Sequence, residues 1–369
     1  MSHRRVGIIG AGQLGRMLAL AGWDLGLRCE FLDPADEPPA SGLGPIRKHP
    51  FDDVAALTTL SARTDVLTYE FENLSAPALS HLAAATRLWP PPEALAIAQS
   101  RSLEKRFFEE LGYRVAPWQP ATSQSELEAA AATVGLPAIA KLDRLGYDGK
   151  GQQRLHGKDD LAGCFAALGA KPLVVEGLVR FERELSIIGT RDQQGRCVCY
   201  PLTENQHRAG ILHRSVVAAA ETALQAEAER LFHAVAAALD YVGTLAIELF
   251  QAGGELIINE MAPRVHNSGH WTIEGAATSQ FENHLRAVCG LPLGSTSAHG
   301  AAGMRNFIGA LPRAAEVLDI PGLSFHDYGK TARPGRKLGH ATVVANSSQA
   351  VIDALDELDR RVPPASPND

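Results

Sequence analysis

The sequence predicts an α/β protein of more than one domain. Short apolar strands alternate with helical stretches over the first hundred residues or so, and a glycine-rich turn follows the first strand. Beyond them, strands and helices mix without regular alternation. Alternation of the first kind makes successive strands parallel and covers the sheet with helices, whereas irregular mixing reads as α+β. With 369 residues the chain has room for two or three domains.

Residues 6–9, 28–32 and 66–69 read as strands, and residues 14–22 as a helix. The second strand ends at Asp33, and Glu70-Phe-Glu72 follows the third. Trp89-Pro-Pro-Pro92 closes this region, because consecutive prolines continue neither a helix nor a central strand. Helices are expected over 102–111, 125–134 and 221–239, and strands over 138–142, 173–176, 184–188, 245–250 and 255–260. Residues 290–303, rich in Ser, Gly and Ala, mark a boundary before a small module, and the tail 362–369 is expected to be poorly ordered. The resulting division is 1–100, 101–295 and 296–369.

A formal net charge of −7 leaves no global basic field for nucleic acid or an anionic membrane. An anionic substrate must therefore meet a local cluster of positive groups. Five scattered cysteines do not form a disulfide framework. Cys197-Val-Cys199 reads as a strand with a structural role, since no second pair has zinc spacing. The N-terminus lacks the apolar core of a signal peptide, and no apolar run approaches the roughly 20 residues that span a bilayer. A soluble, cytoplasmic protein is expected.

Several segments carry chemistry. Gly10-Ala-Gly12-Gln-Leu-Gly15 follows a strand and opens a helix, and Asp33 ends the next strand. That is the dinucleotide fingerprint, and by itself it admits an NAD-dependent oxidoreductase. The same glycines also serve a strand–turn–helix unit that only packs closely. Lys141 precedes Gly146-Tyr-Asp-Gly-Lys-Gly-Gln152, a lysine beside a glycine loop that suits phosphate oxygens or, more plainly, a hairpin turn. Glu248 and Glu260 lie in apolar strands on either side of Gly253-Gly254. If those strands pair, the carboxylates converge on one hard cation. The polar run Met261–Trp271 then reads as a ligand-lining loop, with His266 and His270 hydrogen-bonding to substrate rather than ligating metal.

Taken together, Lys141, the 146–152 loop, Glu248 and Asn259-Glu260 resemble the ATP-grasp superfamily. More narrowly the chain resembles the 5-(carboxyamino)imidazole ribonucleotide synthases. The matching stretches are Gly12–Leu18, Gly146–Gln152, Tyr200–Asn205, Ile258–Trp271 and Arg333–His340. The run Pro263-Arg-Val-His-Asn-Ser-Gly-His-Trp271 is the most specific of them.

The resemblance implies three domains: an N-terminal parallel-sheet domain, a two-lobed ATP-grasp core and a small C-terminal domain. It implies ATP, Mg²⁺ and bicarbonate, the last attacking ATP to give carboxyphosphate before a ribonucleotide amine captures the carboxyl group. Arg101 and Lys141 would touch phosphates under the loop Gly146, Gly149, Gly151 and Gln152. Glu176, Gly177, Leu178 and Val179 would form the adenine hinge. Glu184 would take the ribose, with His207 and Asn259 also lining the nucleotide site. Glu248 and Glu260 would carry the metal.

Tyr147, Asp148, Lys150, Arg264, His266 and Asn267 would be catalytic; family members carry Lys or Arg at the Lys150 position. Gln13, Leu14, Glu70 and Ser268 would meet the ribonucleotide, and Lys330, Arg336 and Lys337 its 5′-phosphate. A homodimer with small-molecule partners is implied. The nearest rival is the formate-dependent glycinamide ribonucleotide transformylase, which shares most of the ATP residues.

Overall fold

A computed structural model describes residues 3–83, 86–144, 151–218 and 222–363. A strand covered on both faces can be apolar throughout. Arg5–Ile9, Arg28–Leu32 and Val66–Tyr69 approach this, with buried Glu30 held by Arg47 and Arg63, and with Ile46–Arg47 they make a parallel sheet in the order 46–47, 28–32, 5–9, 66–69. On one face Val6, Ile8 and Phe31 pack with Leu14 and Leu18 of helix Gln13–Asp24 and with Phe281 and Leu285 of helix Gln280–Val288. On the other, Ile9 and Leu32 pack with Leu57 and Leu60 of helix Val54–Arg63.

A second sheet is antiparallel, ordered Trp118–Ala121, Leu173–Gly177, Ala138–Leu142, Gln152–Leu155. The alanine-rich helix Gln124–Val134 lies against it, with Leu127, Ala130 and Ala131 packed on Ala138, Ala140 and Val175.

The third sheet has nine strands. Glu255–Ala262, Gly243–Ala252, Arg183–Arg191, Thr203–Arg208 and Ile211–Val217 come first, and Cys197–Cys199 pairs onto Arg183–Arg191. The sheet then continues through Ala301–Ile308, Lys337–Ala345 and Leu323–Asp327. Arg214, Ser215 and Val216 pair with Arg305, Met304 and Gly303, so the C-terminal module extends the central sheet without a break. Helix Thr222–Ala238 seals one face, with Leu231, Phe232 and Val235 on Leu185, Ile187, Leu245 and Ile247. Helix Ser348–Arg361 is latched to the sheet by Asp359, which pairs with Arg305 at 2.7 Å and Arg214 at 2.6 Å.

All five cysteines are free, and Cys197 and Cys199 lie half-buried in a strand. Among the described residues no helix is long and apolar enough to cross a membrane.

Candidate active site

The hairpin that carries the two carboxylates follows from its turn. Gly253 and Gly254 have φ of 61° and 81°, the left-handed pair that a two-residue hairpin requires. The register then places Glu248 directly opposite Glu260. A bulge beside Glu248 leaves Asn259 as the extra residue, a device that re-aims side chains next to sites. Arg101 opens helix Arg101–Glu110 and bonds Glu260 at 2.9 Å. Asp143, just past the lysine strand, bonds the Ser102 amide at 2.8 Å and the Ser100 hydroxyl at 2.9 Å, which fixes where Arg101 emerges.

Glu248, Glu260 and Arg101 line a cleft of about 90 Å³ with Glu72, Glu104, Arg264 and His266. Burial disfavours charge on Glu248, but His266 at 3.2 Å and the more distant His207 and Lys337 bring its carboxyl down to about 2. Burial and the neighbouring Glu260 push Glu104 up to about 8 while it accepts from the Met261 amide at 2.7 Å. Among the described residues no group of three or more His, Cys, Asp or Glu side chains converges as a metal site. Two opposed carboxylates nevertheless fit Mg²⁺, which takes one or two carboxylates and fills its remaining positions with phosphate oxygens and water.

The antiparallel sheet carries a buried cluster of charges that acts on Arg101 through Glu176. Lys141 bonds Glu176 at 2.8 Å, and Lys105 reaches the same carboxylate at 3.2 Å. Burial opposes charge on Glu176, yet the two lysines hold it at about 2. Gly177, Leu178 and Val179 continue from this strand and line a second cleft of about 370 Å³ with Pro117, Leu136 and Ile257. The amides of Gly177 and Leu178 are committed to the carbonyls of Pro117 and Pro137. Glu184 hydrogen-bonds His207; burial disfavours the imidazolium, but that carboxylate raises the His207 pKa overall. Gly151 and Gln152 lie at the start of the neighbouring strand. Gly146, Tyr147, Asp148, Gly149 and Lys150 lie outside the described residues.

The fingerprint loop is occupied from within. Glu70 accepts from the amides of Gly12 at 2.7 Å and Gly15 at 3.2 Å, and Asp33 accepts from Ala11 at 2.8 Å. A β-carbon on Gly12 would stand 2.7 Å from the Glu70 carboxylate, so glycine here admits an internal anion. These amides are the ones a pyrophosphate would need at a helix N-terminus, and the NAD-dependent oxidoreductase reading is corrected on that ground. Burial raises the Glu70 pKa against the pull of the two amides. Leu14 is buried in the sheet core.

Gln13 hydrogen-bonds Lys330, which brings the basic segment to this loop. Burial and Arg336 lower the Lys330 pKa to about 8. Arg336 is half-buried and donates to the Thr331 carbonyl at 3.0 Å, and Lys337 begins a strand of the long sheet.

The loop 263–271 lies between these regions. Arg264 pairs with Glu72 across the cleft. Asn267 exchanges two amide bonds with Asn306, at 2.9 and 2.7 Å. Ser268, expected among the substrate contacts, is fully buried, with its hydroxyl held by His266 and Ser186, and stands behind the cleft wall. His270 was expected to meet substrate as well. It is 1% exposed and packs 4.9 Å from the His340 ring and 5.5 Å from Phe281, because the short helical turn Asn267–Gly269 swings it inward.

Sequence reasoning missed Lys105, Glu104 and Glu72. In the sequence, Glu104-Lys105-Arg106 looks like an ordinary solvated helix face, and only the packing of that helix against the lysine strand and the hairpin buries its first two residues.

A sheet-borne carboxylate pair in a cleft, joined through Arg101 to the lysine-bearing antiparallel sheet, defines an ATP-grasp nucleotide site. The matching family models agree: ATP-grasp domain over residues 106–281, ribonucleotide synthetase preATP-grasp domain over 3–99, and phosphoribosylaminoimidazole carboxylase C-terminal domain over 302–354. The N5-carboxyaminoimidazole ribonucleotide synthase of Pseudomonas aeruginosa is 48% identical over 92% of this chain and 94% of its own length. That of Brucella melitensis is 46% identical over 91% and 95%.

Among solved structures, the N5-carboxyaminoimidazole ribonucleotide synthetase of Thermus thermophilus superposes with a TM-score of 0.93 at 47% identity, covering 98% of this chain and 99% of the other. The Aspergillus clavatus enzyme, in complex with ADP and 5-aminoimidazole ribonucleotide, gives 0.90 at 31% identity, covering 97% and 98%. The chain belongs to the N5-carboxyaminoimidazole ribonucleotide synthase family. None of these relatives is a formate-dependent transformylase, and that alternative is set aside.

Proposed function

We propose that the chain is the purine-biosynthetic ATP-grasp ligase its family name describes, carboxylating 5-aminoimidazole ribonucleotide at the expense of ATP and bicarbonate. The observation that carries this reading is the cleft itself. Opposed Glu248 and Glu260 lead directly into Arg264 and His266, and Arg264 faces Glu72 from the N-terminal domain.

A bicarbonate oxygen attacks the γ-phosphorus, the bond to the β-phosphate oxygen breaks, and ADP leaves. The resulting carboxyphosphate releases CO₂ and phosphate. The substrate's exocyclic amine bonds to the CO₂ carbon and loses one proton, giving the carbamate. Glu248 and Glu260 would hold Mg²⁺, which would supply charge neutralisation at the phosphates. Lys141 and Arg101 position phosphate oxygens. Arg264 clamps the planar bicarbonate two-pronged after exchanging its bond to Glu72.

Adenine is read by the Val179 amide and by hinge carbonyls, since the Gly177 and Leu178 amides are committed. Glu184 takes the ribose of ATP, with His207 and Asn259 lining that site. Gln13, Lys330, Arg336 and Lys337 hold the ribonucleotide, and Glu70, with both oxygens on the loop amides, shapes their floor. Tyr147, Asp148 and Lys150 close over the ligands with the glycine loop, excluding water from a short-lived intermediate. The reading carries with it a cytoplasmic homodimer organised as 1–100, 101–295 and 296–369.

ATP cleavage assayed with and without 5-aminoimidazole ribonucleotide and bicarbonate tests the reading. Cleavage should need bicarbonate and be stimulated by the ribonucleotide. Activity with formate and glycinamide ribonucleotide instead would overturn it.

A further inference from the structure

Behind His266 a row of buried hydroxyl and amide groups crosses the nine-stranded sheet. Ser186 stands opposite Glu248 in register, and Asn205 stands opposite Ser215. Ser186, Ser215 and Ser268 are fully buried, and Asn205 is 6% exposed. The Ser215 hydroxyl donates to Asn205 Oδ1 at 2.7 Å, and Asn205 Nδ2 donates to Ser186 Oγ at 3.1 Å. Ser186 and Ser268 hydroxyls are 2.8 Å apart, and Ser268 Oγ is 2.8 Å from His266 Nδ1.

The direction of this chain is set at its inner end. The Ser268 backbone N–H also reaches His266 Nδ1, at 3.3 Å, and a backbone N–H can only donate. Nδ1 is therefore the acceptor, and the single proton of the neutral ring lies on Nε2, 3.2 Å from a Glu248 oxygen. Each hydroxyl has one proton to give, so Ser268 donates to the ring and Ser186 donates to Ser268. The amide of Asn205, oriented by Ser215, then supplies Ser186 from behind. The row is consistent from end to end only in this direction.

We propose that Ser268, Ser186 and Asn205 are positioning residues that lock His266 in the Nε2–H tautomer, so that it shows the cleft a hydrogen-bond donor. That donor suits Glu248 and an oxyanion beside it; only the identity of the oxyanion, bicarbonate or carboxyphosphate, rests on the reaction proposed above. In this form Nε2 has no lone pair to receive a proton. The proton lost by the substrate amine must leave by another group.

The test is nitrogen-15 NMR of the protein labelled at histidine, with the His266 ring signals assigned by their loss in His266→Gln. Wild type should show Nε2 protonated and Nδ1 bare. Ser268→Ala and Ser186→Ala should each raise the Nδ1–H fraction and lower kcat roughly tenfold, with the KM for ATP changed less than about twofold. Ser186→Thr, which keeps the hydroxyl, should restore the wild-type tautomer. A wild-type ring protonated on Nδ1 overturns the proposal, and so do alanine variants with unchanged ring spectra. The wild-type spectrum decides the matter even where a variant fails to fold. It is independent of turnover, so a protein that locks the tautomer yet does not carboxylate would refute the proposed reaction and not the relay.

Discussion

Replacing Lys105 with methionine tests whether the charges in the cleft are held from behind. Lys105 and Lys141 share the Glu176 carboxylate at 3.2 and 2.8 Å, and the Lys105 side chain is 2% exposed. With an effective dielectric constant of about 20, a pair at this distance attracts by about 5 kcal/mol. Burying the ammonium offsets part of that, and burial does lower the Lys105 pKa. Methionine keeps the volume and removes the charge. Since Glu176 retains Lys141, the loss in stability should be about 3 kcal/mol, the lower end for breaking a buried pair.

The functional consequence follows from the same geometry. Glu176 would then pull on Lys141 alone, and Lys141 would be less available to a phosphate. If about 1.4 kcal/mol of the change falls on Lys141, the KM for ATP rises about tenfold. The KM for the ribonucleotide should not move. Urea unfolding and steady-state kinetics with each substrate varied measure both effects. A folded variant with an unchanged KM for ATP refutes the reasoning.

Three other perturbations probe other parts of the site and fold. Glu260→Gln removes one charge from the carboxylate pair and weakens the bond from Arg101, so turnover should fall at least about a hundredfold without loss of fold, checked by activity and circular dichroism. Arg336→Ala should raise the KM for the ribonucleotide roughly ten- to hundredfold and leave that for ATP unchanged, with little further loss on the dephosphorylated nucleoside. Asp359→Asn should cost about 3 kcal/mol by removing the countercharge of buried Arg305, while Arg214 keeps its pair with Asp356 at 2.7 Å. Burial opposes charge on Asp359, but His213 and the arginines lower its pKa below 3.8. Its stabilisation is therefore complete above the unfolded value and is lost as pH falls through the folded one, so wild type should lose stability in that acidic window while the variant shows a weaker dependence.

What could be read from the sequence was what local chemistry enforces. Gly253-Gly254 between two apolar strands requires a hairpin, and a carboxylate in each strand then needs a shared purpose. The parallel sheet was legible because its strands are mostly apolar and alternate with helical stretches. The C-terminal strands were not, because Ala301–Ile308 buries Arg305 and Asn306, which break any apolar run. Glu70 looked like a residue awaiting substrate, since nothing in the sequence shows it folding back onto the glycine loop. The hydroxyl row was equally invisible. Ser186, Asn205 and Ser215 are unremarkable strand residues until pairing sets them side by side.

The central claim is that bicarbonate is activated by ATP in this cleft and its carbon passed to the ribonucleotide amine. Bicarbonate labelled with both carbon-13 and oxygen-18, supplied with ATP and 5-aminoimidazole ribonucleotide, tests it most directly by mass spectrometry of the products. The account predicts carbon-13 in the carbamate and one bicarbonate oxygen in the released phosphate, because that oxygen attacks phosphorus. Phosphate carrying oxygen from water alone, with no labelled carbon in the ribonucleotide, would contradict it.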